Sequence, residues 1–308
     1  PVRASPRPRT RPHPDGSRAM LIDPRDLDTR PVVVKIGGAL LDDHDARRGF
    51  LDRLAAAATA GGRFIVVHGG GAAVDRHLER IGAVTERIDG IRVTPHELMP
   101  EIAATLAGEV GTGLLADVRR RGVPGVALRI GDDPGITTSI LPVPFDPGAV
   151  GTVTGGRATL LASLVASRLL PIISSIGLLA DGTPVNVNAD DAAAGVAAAI
   201  DADALLLLTD VPGVLDADRS VIPRLDADAI ESLIADGTIS GGMIPKVRGA
   251  LAAATAAGCP VVIGHWADPA VLAAPLADET VATLILPTPS SAPAPSIEVG
   301  DALLESRS

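Results

Sequence analysis

The chain has 308 residues, 46% of them hydrophobic, and a formal net charge of −10. That is enough apolar material for one large domain or two lobes, while the charge excludes a general attraction for nucleic acid or an anionic membrane surface. Aromatic residues make up 1% with no tyrosine, which excludes a stacking platform for single-stranded nucleic acid, and the one cysteine, Cys259, can build neither a disulfide framework nor a zinc site.

Residues 1–30 are rich in Pro and Arg and read as a disordered tail. No apolar stretch follows the first arginines as in a signal peptide, and no run of 18 apolar residues suggests a membrane span. With Cys259 read as a buried thiol, the expected compartment is the cytoplasm. The first strand is Val32-Val33-Val34-Lys35-Ile36, closed by Gly37-Gly38, and a helix is predicted near 44–60. Phe64-Ile65-Val66-Val67-His68 is the second strand, closed by Gly69-Gly70-Gly71, with helices near 72–81 and 95–121. Prolines and turn residues over 131–156 suggest marginal hairpins that could form a lid. Helices near 157–168, 190–200, 226–235, 243–257 and 268–274 alternate with apolar runs at 171–174, 204–208, 260–263 and 283–286. From Pro287 onward the chain reads as a second flexible tail. Continuous apolar strands alternating with Ala-rich helices predict an α/β fold, a largely parallel open sheet covered on both faces in a three-layer αβα sandwich.

Four sites carry chemistry. Two strands run into glycine clusters, Gly37-Gly38 and Gly69-Gly70-Gly71. Ligands of open α/β sheets sit beyond the carboxyl ends of strands, where glycine lets backbone N–H groups approach anionic oxygens. Each cluster alone is equally a tight strand-to-helix turn. Neither a Walker A sequence nor a strand-linked GxGxxG occurs, so phosphate would be bound by another route. In Asn186-Val187-Asn188-Ala189-Asp190-Asp191, alternation puts Asn186 and Asn188 on one face, and Asp190 is either a helix N-cap or a catalytic carboxylate. Lys246 falls in the first turn of a helix, where the dipole disfavours a cation. It is either a solvated surface lysine or the partner of a polyphosphate.

The ordered set Lys-Ile-Gly-Gly (35–38), His-Gly-Gly-Gly (68–71), Gly-Ile-Arg-Val-Thr (90–94), Asn-Val-Asn-Ala-Asp (186–190), Thr-Asp-Val-Pro-Gly-Val (209–214) and Gly-Gly-Met-Ile-Pro-Lys (241–246) resembles the acetylglutamate kinases of the amino-acid kinase fold. The likeness spans about 32–286, and Ser174-Ser175-Ile176-Gly177 and Ile263-Gly264-His265-Trp266 resemble the short, dimeric bacterial subgroup. It implies phosphorylation of the γ-carboxylate of N-acetyl-L-glutamate, with ATP as co-substrate together with Mg²⁺ and no residue assigned to metal. It implies that Lys35 and Lys246 stabilise the transferring phosphoryl group and that Asp190 holds both lysines. Gly70 and Gly71 would contact the acceptor carboxylate, Arg92 would grip the α-carboxylate, and Asn186 would make the other substrate contact. Gly37, Gly38, Asp210, Val211, Pro212, Gly213, Val214, Leu215, Thr238, Ile239 and Ser240 would form the ATP-binding edges. Residues 31–286 would then be one kinase domain, with a substrate lobe at about 31–185 and an ATP lobe at about 186–286. The expected partner is a small-molecule substrate, without nucleic acid or membrane.

The chain departs from the family's pattern at Leu128-Arg129-Ile130-Gly131-Asp132-Asp133, a stretch expected near the substrate's acyl group. The family's arginine-inhibited hexamers carry an N-terminal linking helix, for which residues 1–30 are too rich in proline. The expectation is a homodimer not inhibited by arginine through that route. The alternatives are a sister kinase acting on a carrier-linked aminoadipate or glutamate, and a non-catalytic ligand-sensing relative.

Overall fold

Four β-branched residues around Lys35 make β1 (Val32–Ile36), at the heart of an eight-stranded sheet. The computed structural model describes residues 24–88, 90–273, 275–276 and 282–288. After β1 come α1 (Gly38–Asp42), α2 (His44–Thr59), β2 (Phe64–His68), α3 (Gly71–Arg80), and a small hairpin of β3 (Arg87–Ile88) and β4 (Ile91–Arg92). Then follow α4 (Met99–Ala103), α5 (Gly111–Arg120), β5 (Gly125–Arg129), β6 (Ile136–Ile140), β7 (Val150–Gly156), α6 (Thr159–Ala166), β8 (Leu170–Ser174), β9 (Ile176–Leu178) and β10 (Pro184–Val187). The last part holds α7 (Ala189–Ile200), β11 (Ala204–Thr209), β12 (Arg224–Leu225), α8 (Ala227–Ala235), α9 (Met243–Ala257), β13 (Val261–His265), α10 (Ala270–Ala273) and β14 (Ala282–Ile285).

The main sheet has the order β12-β14-β13-β11-β1-β2-β8-β5. It is parallel except that β14 runs antiparallel to β13 and carries β12 with it. Period-two alternation divides its side chains between two cores. Val33, Ile65, Val67, Leu205, Val261 and Ile263 pack on one face with residues of α6, α7, α8 and α9. Val34, Phe64, Val66, Leu206 and Val262 pack on the other with residues of α1, α2, α5 and α10. The expected three-layer sandwich is therefore what forms, because apolar runs without alternation bury both faces.

A second sheet, β6-β7-β10-β9, realises the hairpins expected over 131–156 and adds two short strands. A third cluster, with Val74, Leu78, Met99, Ile102, Leu106, Ala149 and Ile176, packs α3 and α4 beneath it. The helix expected over 95–121 is interrupted: a π-helical segment, Ala104–Val110, separates α4 from α5. The β3–β4 hairpin was not among the predicted elements, since two-residue strands carry no periodicity.

Of the two predicted tails, residues 1–23 and 289–308 lie outside the described residues. Residues 24–30 are placed against the fold, with Leu27 on the core and Arg30 paired to Asp201 at 3.0 Å. Cys259 is buried, and desolvation pushes its thiol up to about 12, the inert thiol expected. Among the described residues no helix is long and apolar enough to cross a membrane.

The stretch at 128–133, expected near the acyl group, is not among the residues that line the smaller of the two pockets described below. Its residues serve the backbone. Arg129 and Asp132 pair with each other. Asp133, buried, accepts hydrogen bonds from Gly135 N and from Leu161 N in the first turn of α6, both at 2.9 Å. Helix α6 has no side-chain cap of its own. Asp133→Ala should therefore orphan buried donors and lower unfolding free energy by about 2 kcal/mol, read as a lower urea midpoint. Asp133→Asn, which keeps one acceptor oxygen, should lose less.

Candidate active site

The site follows from register. β1 pairs with β11 on one side and β2 on the other, so Ile36 lies opposite His68 and both glycine turns leave the sheet side by side. Gly69 N donates to Ile36 O at 3.2 Å, joining the two turns. β1 is gripped on both edges, so the backbone at Lys35 has little freedom.

Lys35, 18% exposed, projects its Nζ to 2.9 Å from Asp190 Oδ1. A Cβ on Gly37 would stand 3.1 Å from that ammonium and would press on it. The N-cap of α7 is Asn188 and not Asp190. Asn188 Oδ1 accepts from Asp190 N at 2.8 Å, which leaves the Asp190 carboxylate to the lysine.

Lys246, on the first turn of α9, lines the same cavity as Lys35 and Asp190. Its Nζ stands 4.0 Å from Asp210 Oδ1, so the expectation that Asp190 holds both lysines is corrected: Asp190 meets Lys35, and Lys246 faces Asp210. The Thr209 hydroxyl donates to Asp210 at 2.9 Å and holds its carboxyl below the usual range, with help from Lys246. This cavity, about 490 Å³, is also lined by Gly37, Gly38, Pro245 and Trp266.

The other expected ATP-edge residues do not line it. Val214 and Ile239 are core residues. A Cβ on Gly213 would strike the Thr283 hydroxyl, which accepts from Val214 N at 2.7 Å. Val211, Pro212, Leu215, Thr238 and Ser240 lie on the connections that follow β11 and precede α9.

A neighbouring pocket of about 300 Å³ gathers Gly70, Gly71, Arg92 and Asn186, which the sequence places far apart. Asp191 and Ala189 line this pocket while Asp190 lines the other, so the start of α7 divides the two. Arg92, 8% exposed, is held through Nη1 by Asp75 (2.6 Å) and Thr85 (2.9 Å) and through Nη2 by Gly71 O (3.2 Å). The hydrogen bond from Arg92 draws the Asp75 carboxyl below its usual range, against the effect of desolvation. Thr94 Oγ1 donates to Arg92 O, and Asn186 Nδ2 stands 3.4 Å from Thr94 Oγ1. Asn186 and Asn188 both line the pocket, as alternation requires.

Three contributors escaped sequence reasoning. Asp75 is 17 residues from Arg92 and carries no local signal. Arg87, which also pairs with Asp75 (3.1 Å), lines the same pocket as Arg92. Trp266, read only as a family detail, follows β13 at the carboxyl end of the sheet, a position that does point to ligand.

The amino acid kinase family model matches residues 30–265. The chain belongs to the amino acid kinase family. Within it, the chain is 40% identical over 263 residues to an acetylglutamate kinase of Vibrio cholerae, covering 85% of this chain and 99% of the relative. A crystal structure of a Streptococcus mutans UA159 protein is 31% identical with a TM-score of 0.65, covering 83% of this chain and 98% of that one. An N-acetylglutamate synthase from Neisseria gonorrhoeae, solved with coenzyme A and N-acetyl-glutamate, shares the fold. It is 24% identical with a TM-score of 0.67, over 84% of this chain and 60% of its own.

His68 closes β2 fully buried, with Nδ1 2.8 Å from Gly69 O. Desolvation lowers its pKa from 6.5 to about 4, partly opposed by that hydrogen bond. As pH falls, the unfolded chain takes up the proton first. The contribution to stability is therefore complete above pH 6.5 and is lost between 6.5 and 4. His68→Asn, which cannot titrate, should escape roughly 3 kcal/mol of the acid destabilisation that the unsubstituted chain suffers between pH 7 and 4. Urea unfolding of both chains across that range checks it.

Proposed function

We infer that the chain transfers the γ-phosphoryl group of ATP to the side-chain carboxylate of N-acetyl-L-glutamate, the second step of arginine biosynthesis. The observation that carries this reading is the convergence of Lys35, Asp190 and Lys246 on one cavity, beside a pocket that holds Arg92, Asn186 and the second glycine turn.

A carboxylate acceptor with a pKa of about 4.3 is already ionised at neutral pH, so no general base is needed. The difficulty is bringing two anions together while charge spreads over the phosphoryl oxygens, and positioned cations and amides meet it. Lys35 and Lys246 serve the transferring group, and Asp190 aims Lys35. The Gly70 and Gly71 amides serve the acceptor carboxylate. Among the described residues, three N–H groups of Arg92 are engaged, two of them on Nη1. The donors left are on the Nε and Nη2 side, a fork suited to an α-carboxylate. Asn186 supplies the other polar contact. Gly37 and Gly38 face the phosphates, while Asp210–Leu215 and Thr238–Ser240 flank the nucleotide. We read about 31–185 as chiefly the acceptor half and about 186–286 as chiefly the nucleotide half of one domain, with Lys35, Gly37 and Gly38 reaching across to the nucleotide cavity and Asn186 to the acceptor pocket, and the compartment as the cytoplasm.

Among the described residues no group of three or more His, Cys, Asp or Glu is gathered to hold a metal. A magnesium ion bound with ATP would neutralise charge on the phosphates. Asp190 and Asp210 are the carboxylates that would face it.

An ADP-release assay tests the reaction: N-acetylglutamate should support turnover, and glutamate, aspartate and aminoadipate should not. Lys246→Ala should lower kcat by about 10²–10³ while still binding MgATP, read by the fluorescence of Trp266, the chain's sole tryptophan and part of the cavity wall. Near-normal kcat in that variant would remove Lys246 from the catalytic set.

The quaternary reading is a homodimer. β5 ends the main sheet and, among the described residues, pairs only with β8, leaving a row of backbone groups for another chain. Light scattering should give the mass of two 31.1 kDa chains, with activity unaffected by arginine. A hexamer would overturn this.

A further inference from the structure

Among the described residues, His68 Nε2 is one of two buried side-chain polar atoms without a hydrogen-bond partner, and the scheme above gives this side chain no task. Its other nitrogen explains why it is there. Gly69 O can only accept, so Nδ1 carries the ring proton and Nε2 is a bare lone pair. Gly69 C=O and Gly70 N–H belong to one planar trans peptide and point in opposite directions. Fixing the carbonyl toward the imidazole therefore fixes the Gly70 N–H on the side away from it.

The turn is held from beneath as well. Gly70 adopts φ 157° and ψ 31°, a conformation that needs glycine. A Cβ there would meet Leu106 Cδ2 at 2.8 Å and Val110 Cγ2 at 3.2 Å, both from the π-helical segment. That segment ends at Gly111, whose N–H reaches back five residues to Leu106 O. A Cβ on Gly111 would come within 3.3 Å of His68 Nε2, so this glycine leaves the room the ring occupies. The π register thus serves both sides of the turn, a use such segments often have near functional sites.

We propose that His68 is a positioning residue for the phosphoryl acceptor. Its Nδ1–H holds the Gly69 carbonyl and so aims the Gly70 amide at the acceptor carboxylate, in a space that Gly111 keeps open. The ring touches no reacting atom and exchanges no proton in the cycle. The inference rests on the reading of the acceptor pocket given above.

The test compares three variants by steady-state kinetics and thermal melting. His68→Leu fills the space without a donor. It should raise KM for N-acetylglutamate about tenfold, the worth of one aimed hydrogen bond, and leave KM for ATP within about twofold. His68→Asn puts an amide donor near the place of Nδ1 and should restore the acceptor KM to within about threefold of the unsubstituted chain. Gly111→Ala, which pushes on the ring without replacing it, should raise the acceptor KM alone. A folded His68→Leu chain with unchanged acceptor KM, or with both KM values raised equally, would overturn the proposal, as would no recovery in His68→Asn. If His68→Leu does not fold, an unchanged acceptor KM in Gly111→Ala overturns it. Should the unsubstituted chain release no ADP with N-acetylglutamate, the functional reading fails on its own. The Gly70 amide resonance then decides the positioning role: it must shift and broaden in His68→Leu, or in Gly111→Ala where that chain does not fold, and keep its place in His68→Asn.

Discussion

The ion pair between Lys35 and Asp190 is the interaction on which the site depends. A mostly buried ammonium on the central strand is costly without a close partner, and the partner must be at the right height above the sheet. Asp190 is there because α7 begins one residue earlier, capped by Asn188, with its carboxylate unspent. β1 is bonded on both sides, so the lysine's origin is fixed as well. The pair fixes the lysine ammonium on the wall of the larger cavity, next to the start of α7 that divides it from the smaller pocket.

That boundary resolves a conflict in the composition. The chain carries a net charge of −10, yet both substrates of the proposed reaction are anionic. Distant surface charges are screened beyond about 8–10 Å at physiological salt. What a bound phosphate or carboxylate feels is therefore set by the groups within a few ångströms. Lys35, Lys246, Arg87, Arg92 and the amides of the glycine turns all lie on the cleft walls. Of the carboxylates on those walls, Asp190 is spent on Lys35, Asp210 stands 4.0 Å from Lys246, and burial together with the neighbouring Asp190 pushes the Asp191 carboxyl above its usual range; Asp75, off the walls, holds Arg92 and Arg87.

Much of this was legible in the sequence because it is strand-based. Runs such as Val32–Ile36 and Phe64–His68 have one physical reading, a strand covered on both faces, and the glycines after them mark the carboxyl edge where ligands sit. What stayed hidden depends on contacts between distant segments. Asp75 reads as an ordinary helix acid until Arg92 is folded onto it. The π segment is invisible because Ala104–Val110 has the composition of any helix, and only the packing beneath Gly70 distinguishes it. At 128–133, where the resemblance put the acyl group, the sequence did not show what the residues do for the backbone. Asp133 is held there by the unpaired amides of Gly135 and Leu161, a backbone demand that no side-chain motif announces.

The sheet also bears on the reaction distance of the proposed transfer. In the proposed reaction the donor side is built on the turn after β1 and the acceptor side on the turn after β2, and these strands are direct neighbours in register. Adjacent strands lie about 4.8 Å apart, and reacting atoms in a productive complex need to be about 3–3.5 Å apart. Two ligands seated on neighbouring strand ends therefore start within about 1–2 Å of contact distance. The remaining gap falls to the side chains and to the pitch of the glycine turns. The bond from Gly69 N to Ile36 O ties those turns to one another, so they cannot drift apart independently. On the proposed reading, a parallel sheet with glycine at two adjacent carboxyl ends is a ruler for transfer between two anions. Charge balance along that ruler is what the lysines and Asp190 add.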